Sequence, residues 1–228
     1  MILGTLVILA FKLFDMESSK NHWEKIYSTK KSNEVSWTQG VPETSLNFLK
    51  SFNLSKDAAI IDIGGGESKL VDFLLEEGFT DITVLDISET ALTNAKERLG
   101  SRASQVQWIV SDITEFKPDR KYHVWHDRAT FHFLTNEVQI AKYVALAADS
   151  ITADGFMTIG TFSEAGPTKC SGLEIKQYSE QTLQSVLTRF FDKLKCITED
   201  HITPFQTLQN FLFCSFKKRF EVADTHAK

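Results

Sequence analysis

The stretch AIIDIGGGESKL, residues 59–70, constrains this chain more than any other. An apolar run carrying one carboxylate, Asp62, ends in three consecutive glycines, Gly64, Gly65 and Gly66, and a helical pattern follows at once. The pattern predicts a buried strand that turns sharply into a helix. Glycines admit positive φ and the close approach of a ligand, while the first N–H groups of the helix face the gap without intrahelical partners. Such a turn is a ligand-binding device.

Spacing narrows the ligand. The dinucleotide pattern G-x-G-x-x-G, begun at Gly64, needs a glycine where Lys69 stands, and begun at Gly65 it meets Glu67. A phosphate loop of the G-x-x-x-x-G-K-[ST] type fails too, because Lys69 and Leu70 occupy the place of its second glycine. A carboxylate just before the turn repels a pyrophosphate and suits a ligand with a cationic end. S-adenosylmethionine (SAM) has such an end, since its ammonium can pair with Asp62. The pattern Asp62-x-Gly64-x-Gly66 resembles the first motif of the class I, seven-stranded, SAM-dependent methyltransferases, with Ser68 where a third glycine is often found.

The 228 residues, 42% hydrophobic and 24% charged, fit one soluble domain with a large core. With a net charge of −5 and no basic block beyond Lys217-Lys218-Arg219, a nucleic-acid partner is disfavoured. Cys170, Cys196 and Cys214 are an odd number without a C-x-x-C pair, which predicts free thiols in a reducing compartment and neither a disulfide frame nor a metal site. Residues 1–15 are an apolar extension too short to span a membrane as a helix and lacking the marks of a signal peptide. The expectation is a cytoplasmic protein that starts naturally at Met16, with a single domain over residues 16–220 and a polar tail over 221–228.

Along the chain, Trp23, Ile26 and Tyr27 fall at helical spacing, and Trp37 lies in a polar loop before a second helix that begins near Pro42. These aromatics either seal the edge of the core or form a lid over the ligand. The second strand, DITVLDIS, ends at Asp86, 24 residues beyond Asp62, close to the spacing at which a carboxylate meets ribose hydroxyls. Ser88 is positioned to cap the next helix, which leaves Asp86 for a ligand. The third strand, QVQWIVSDI, ends at Asp112. The fourth, YHVWHDRATFHFL, gathers His126, Asp127, Arg128 and His132 at the edge where open α/β sheets bind ligands. Thr135 is expected to cap a helix reaching Ser150, a fifth strand to span 155–162, Ser179 to open another helix, and CITEDHIT and FLFCSFKK to close the chain as an antiparallel pair. The loop over 163–173 is either a substrate gate or a plain connection, and Phe205 and Gln206 are further candidates to face an acceptor.

This order of units resembles the class I methyltransferase fold: α/β, doubly wound, with a mostly parallel seven-stranded sheet and a C-terminal antiparallel hairpin. Asp127-Arg128-Ala129-Thr130 also resembles the Asp-Lys-Gly-Thr segment of a methyltransferase-like group that includes lysine methyltransferases of elongation factors and of citrate synthase, with Ala129 in place of the glycine and His132 where an acidic residue is usual. The resemblance implies methyl transfer from SAM to a small molecule or a protein side chain. It implies that Asp62 and the three glycines border the methionyl end, together with Asp127 and Arg128, that Asp86 meets the ribose, and that Trp37 and Ile87 also contact the cofactor. Asp112 and the N–H of Ile113 then meet the adenine. His126, Asp127 and His132 are the candidate catalytic residues, either histidine serving as base or as substrate-orienting group, or His132 packing as a core side chain. No metal is expected. Two other readings stay open, a non-catalytic SAM-binding partner or sensor and, more remotely, a nicotinamide-dependent oxidoreductase. Neither the acceptor atom nor the oligomeric state is specified.

Overall fold

The short runs IIDI, ITVLD and VQWIV, rich in Ile and Val and flanked by Gly64, Asp81 and Ser111, become neighbouring strands of a seven-stranded sheet. The structure, a computed structural model, describes residues 19–219. The apolar segment 1–15, the start at Met16 and the tail 221–228 lie outside the described residues. Strands β1 (Ile60–Ile63), β2 (Ile82–Asp86), β3 (Val106–Val110), β4 (Tyr122–Arg128) and β5 (Ile151–Phe162) are parallel, and β6 (Phe191–Ile202) and β7 (Leu208–Lys218) form the antiparallel hairpin. Their order across the sheet is β3-β2-β1-β4-β5-β7-β6. The order reverses between β1 and β4, and a crevice opens beyond their carboxyl ends at such a reversal.

Helices cover both faces, as parallel strands require. Helices α2 (Glu43–Ser51), α3 (Leu70–Glu76) and α4 (Glu89–Leu99) pack on one face through Leu46, Leu49, Leu70, Leu74 and Leu92, against Ile60, Val84 and Val124. Helices α5 (Glu137–Ser150) and α6 (Glu180–Leu187) pack on the other through Tyr143, Val144, Leu183 and Leu187, against Ile61, Ile63, Trp125 and Ile159. Neighbouring strand residues thus alternate between the two cores. Helix α1, over residues 19–29, lies outside this sandwich at the carboxyl edge.

Three local expectations change. The N-cap of α5 is Asn136, not Thr135: its side chain accepts from the Val138 N–H at 2.8 Å. Strand β5 begins at Ile151 because a register shift lets Ile151 pair with Tyr122 and Phe156 with Val124, absorbing residues 152–155 as a bulge. The cysteine reading is corrected as well. The hairpin register sets Cys196 opposite Cys214 with Cα atoms 4.1 Å apart, and the two form a disulfide, leaving Cys170 as the free thiol. Sequence separation hid a contact that strand pairing creates.

Candidate active site

The glycine turn is built as its sequence demands. Gly64 and Gly66 take φ values of +63° and +46°, and a Cβ on Gly64 would stand 1.8 Å from Thr130 Oγ1. Gly65 is needed for room, since its Cβ would lie 2.7 Å from Asp62 Oδ2. The turn borders a cavity of about 570 Å³, within the range of small-molecule sites. Asp62, Gly64, Gly65, Asp86, Ile87, Asp112 and Ile113 line it from β1, β2 and β3, and His126 and Arg128 from β4.

Each acidic strand end is held in its own way. Asp86 Oδ1 accepts from the Ser88 N–H at 2.8 Å, and Ser88 also caps α4, its Oγ accepting from the Ala91 N–H at 3.1 Å. Burial pushes the Asp86 carboxyl up to about 7, the N–H groups of Ser88 and Gly66 opposing and the Asp62 and Glu24 charges adding to the shift. Asp112 Oδ1 accepts from the N–H and hydroxyl of Thr114 at 2.7 and 2.8 Å, leaving Oδ2 outside those bonds.

The aromatic residues of the amino-terminal segment face the cavity. Trp23 and Tyr27, one turn apart on α1, line it together with Trp37 and Phe133. Trp23 meets Trp37 at 5.8 Å and Phe133 at 5.2 Å between ring centroids, both edge-on. Of the two sequence readings, the lid is the one this placement supports. The carbonyl of Trp37 accepts from Arg128 Nη1 at 3.0 Å, and His201 Nε2 at the end of β6 donates to the Ser36 carbonyl at 2.7 Å. The C-terminal hairpin therefore fixes the Trp37 loop. Sequence reasoning passed over His201, whose role depends on a contact 165 residues away along the chain.

Arg128 stacks its guanidinium 4.9 Å from the centroid of Phe211, while its Nε and Nη2 are buried without a partner. Burial lowers its pKa to about 10. Arg128 thus keeps two donors without partners while it also lines the cavity. Cys170 and Glu174 also line the cavity, which brings the loop over 163–173 to the site; Phe205 and Gln206 are not among its walls.

Two candidate catalytic residues occupy other places. Strand alternation turns Asp127 to the face opposite His126, where its Oδ1 accepts from the N–H groups of Thr130 and Phe131 at 3.0 and 3.1 Å and its Oδ2 from the Tyr143 hydroxyl at 2.6 Å. Asp127 thus caps the turn after β4 and does not line the cavity. His132 is buried, stacks on Phe162 at 4.7 Å, and has neither ring nitrogen hydrogen-bonded. Burial, with the Arg128 charge adding, pushes its pKa down to about 3, so it is a neutral packing group. His126 lines the cavity, but both its nitrogens are engaged, Nδ1 with Asp62 Oδ1 at 2.7 Å and Nε2 with Ser45 Oγ at 2.9 Å. Gly66 lies behind Tyr27, whose Oη a Cβ there would meet at 2.7 Å. Among the described residues, no group of three or more His, Cys, Asp or Glu side chains is placed to hold a metal ion.

Comparison with known proteins gives a consistent picture. Residues 60–155 match a family described as "Methyltransferase domain". The eEF1A lysine and N-terminal methyltransferase of Mus musculus is 30% identical over 124 residues, which cover 54% of this chain and 18% of that protein. Malonyl-[acyl-carrier protein] O-methyltransferase 2 of Ilyobacter polytropus is 32% identical over 79 residues, 34% of this chain and 30% of that protein. The chain therefore spans less than a third of the length of either relative. Among solved structures, the 1,6-didemethyltoxoflavin-N1-methyltransferase of Burkholderia thailandensis, crystallised with S-adenosylhomocysteine (SAH), superposes with a TM-score of 0.65 at 17% identity, over 93% of this chain and 89% of that one. That likeness concerns the fold.

Proposed function

We propose that the chain is a class I SAM-dependent methyltransferase that transfers a methyl group from SAM to an amine-bearing acceptor inside this cavity. One observation carries the reading: the glycine turn, three acidic strand ends and the aromatic side chains Trp23, Trp37 and Phe133 all line one cavity. On this reading Asp62 and Arg128 receive the two ends of the methionyl zwitterion, with the unpaired donors of Arg128 taking its carboxylate. Asp86 accepts from the ribose hydroxyls, and Asp112 and Ile113 face the adenine. The room left at Gly65 and the size of the cavity fit such a ligand.

The aromatic walls suit an approaching ammonium or amine, which ring faces attract. The amine forms a bond to the methyl carbon as the carbon–sulfur bond breaks. SAH is the leaving group, and the proton passes to water. Because that leaving group is already good, what the protein must supply is alignment in a dry chamber. Asp127 and His132 are not assigned to the reaction. A protein side chain is the acceptor favoured by the relatives that act on eEF1A, and a small molecule is the alternative. A cytoplasmic setting belongs to the same reading, and the Cys196–Cys214 bond is the feature that speaks against it. No helix among the described residues is long and apolar enough to cross a membrane.

The test is transfer of labelled methyl from SAM into a lysate, followed by acid precipitation, with an Asp86→Ala control. Label in protein that the control loses supports a protein acceptor, and label confined to the soluble fraction selects a small molecule. Binding of SAM without any transfer favours the non-catalytic module.

A further inference from the structure

Three buried polar side chains form a line beneath the glycine turn. Asp62 and His126 are register partners on the neighbouring parallel strands β1 and β4 and point to the same face. Asp62 Oδ1 accepts from the His126 Nδ1–H at 2.7 Å, and on the far side of the ring Nε2 meets Ser45 Oγ of α2 at 2.9 Å. Ser45, Asp62 and His126 are 1%, 3% and 2% exposed. The second oxygen of Asp62, Oδ2, points at the space kept open by Gly65. The hydrogen bond to the imidazole occupies one oxygen and fixes the carboxylate plane, so the other oxygen stays aimed at the turn.

Resting on the reading of the cavity as a SAM site, we infer that His126 is a positioning residue for the cofactor's ammonium, acting through Asp62 and anchored by Ser45. A general base needs a free nitrogen directed at the acceptor, and both nitrogens of this ring are committed elsewhere. A carboxylate held in place before the ligand arrives spends no conformational freedom on binding it. The chain Ser45–His126–Asp62 also ties α2, which follows directly on the Trp37 loop, to the polar end of the cofactor subsite.

Binding measurements test this without knowledge of the acceptor. SAH and its analogue lacking the α-amino group are titrated calorimetrically into the wild type, His126→Asn and His126→Phe. The asparagine amide can reproduce the Nδ1 donor, whereas phenylalanine removes both contacts. Expected is a loss of about tenfold in SAH affinity for His126→Phe, the scale of a hydrogen bond to a charged group, with most of it restored in His126→Asn. Affinity for the deaminated analogue should be the same in all three proteins. A folded His126→Phe protein that binds SAH like the wild type, or one that loses SAH and the deaminated analogue equally, would overturn the inference. Failure of the wild type to bind SAH at all would instead remove the SAM reading on which it rests.

Discussion

Glu24 Oε2 accepts the hydroxyl hydrogen of Ser88 at 3.0 Å, joining helix α1 to the residue that caps α4. The same carboxylate accepts from the N–H groups of Glu89 and Thr90 at 2.7 and 3.2 Å. A carboxylate is favoured there because the first turn of a helix has unpaired N–H groups and the positive end of the dipole. Since α1 also carries Trp23 and Tyr27, the contact fastens the aromatic wall over the cavity.

Glu24→Ala should release that wall. The expected result is SAH affinity weaker by several-fold, about 1 kcal/mol on the scale of a lost helix cap, together with faster proteolysis within residues 19–29. Burial raises the Glu24 carboxyl, and the hydrogen bonds from Thr90, Glu89 and Ser88 outweigh it, leaving its pKa below the ordinary value. The contact therefore contributes above the unfolded carboxyl pKa and fades as pH falls through the lowered one. Protease resistance of α1 should decline in the same acidic window.

Asp86 gives the opposite sign. With its folded pKa raised to about 7, its contribution to the stability of the free protein is greatest below the unfolded carboxyl value and is lost as pH rises through about 7. Ribose hydroxyls donate to the ionised form, so SAH affinity should rise between about pH 6 and about pH 8, with a proton released on binding at the acidic end. Titration in two buffers of different ionisation heat measures that proton, and Asp86→Asn should abolish it.

His132 is neutral in the fold because burial disfavours its charged form. A histidine with a depressed folded pKa loses stability as pH falls below about 6.5, since the unfolded chain takes up the proton first. His132→Phe removes that penalty and replaces two unbonded nitrogens with carbon. Urea unfolding should show equal or higher stability at neutral pH, by up to about 1 kcal/mol, a clearer gain near pH 5, and unchanged SAH affinity.

Ala129 has a φ of +66°, in the left-handed region that strains any residue with a Cβ. Ala129→Gly should relieve that strain by about 1 kcal/mol, partly offset by the greater freedom of glycine in the unfolded chain. A small net rise in the midpoint of urea unfolding is the expected outcome.

The strand-end and glycine-turn walls of the cavity were legible in the sequence because their elements are local. A strand end, a glycine turn and an acidic residue each announce themselves within a few positions, and Asp62, Asp86 and Asp112 converge once the strands are parallel neighbours. What was not legible depends on facing and pairing. Asp127 and His126 are adjacent in sequence, and their opposite orientations follow from strand alternation and from Tyr143 on α5 waiting on one face and Ser45 on α2 on the other. His132 sits among titratable neighbours in sequence but is enclosed by Phe162 and Phe133 in space. The Cys196–Cys214 bond required the hairpin register, and the Glu24 contact required knowing where α1 lands.

Calorimetric titration decides whether this cavity binds SAM through its acidic strand ends. SAM, SAH and NAD are added in turn to the wild type and to Asp86→Ala. One-to-one binding of SAM and SAH to the wild type is expected, at least about tenfold weaker in the variant, with no binding of NAD. Binding of NAD in place of SAM, or SAH affinity indifferent to Asp86, would refute the SAM site.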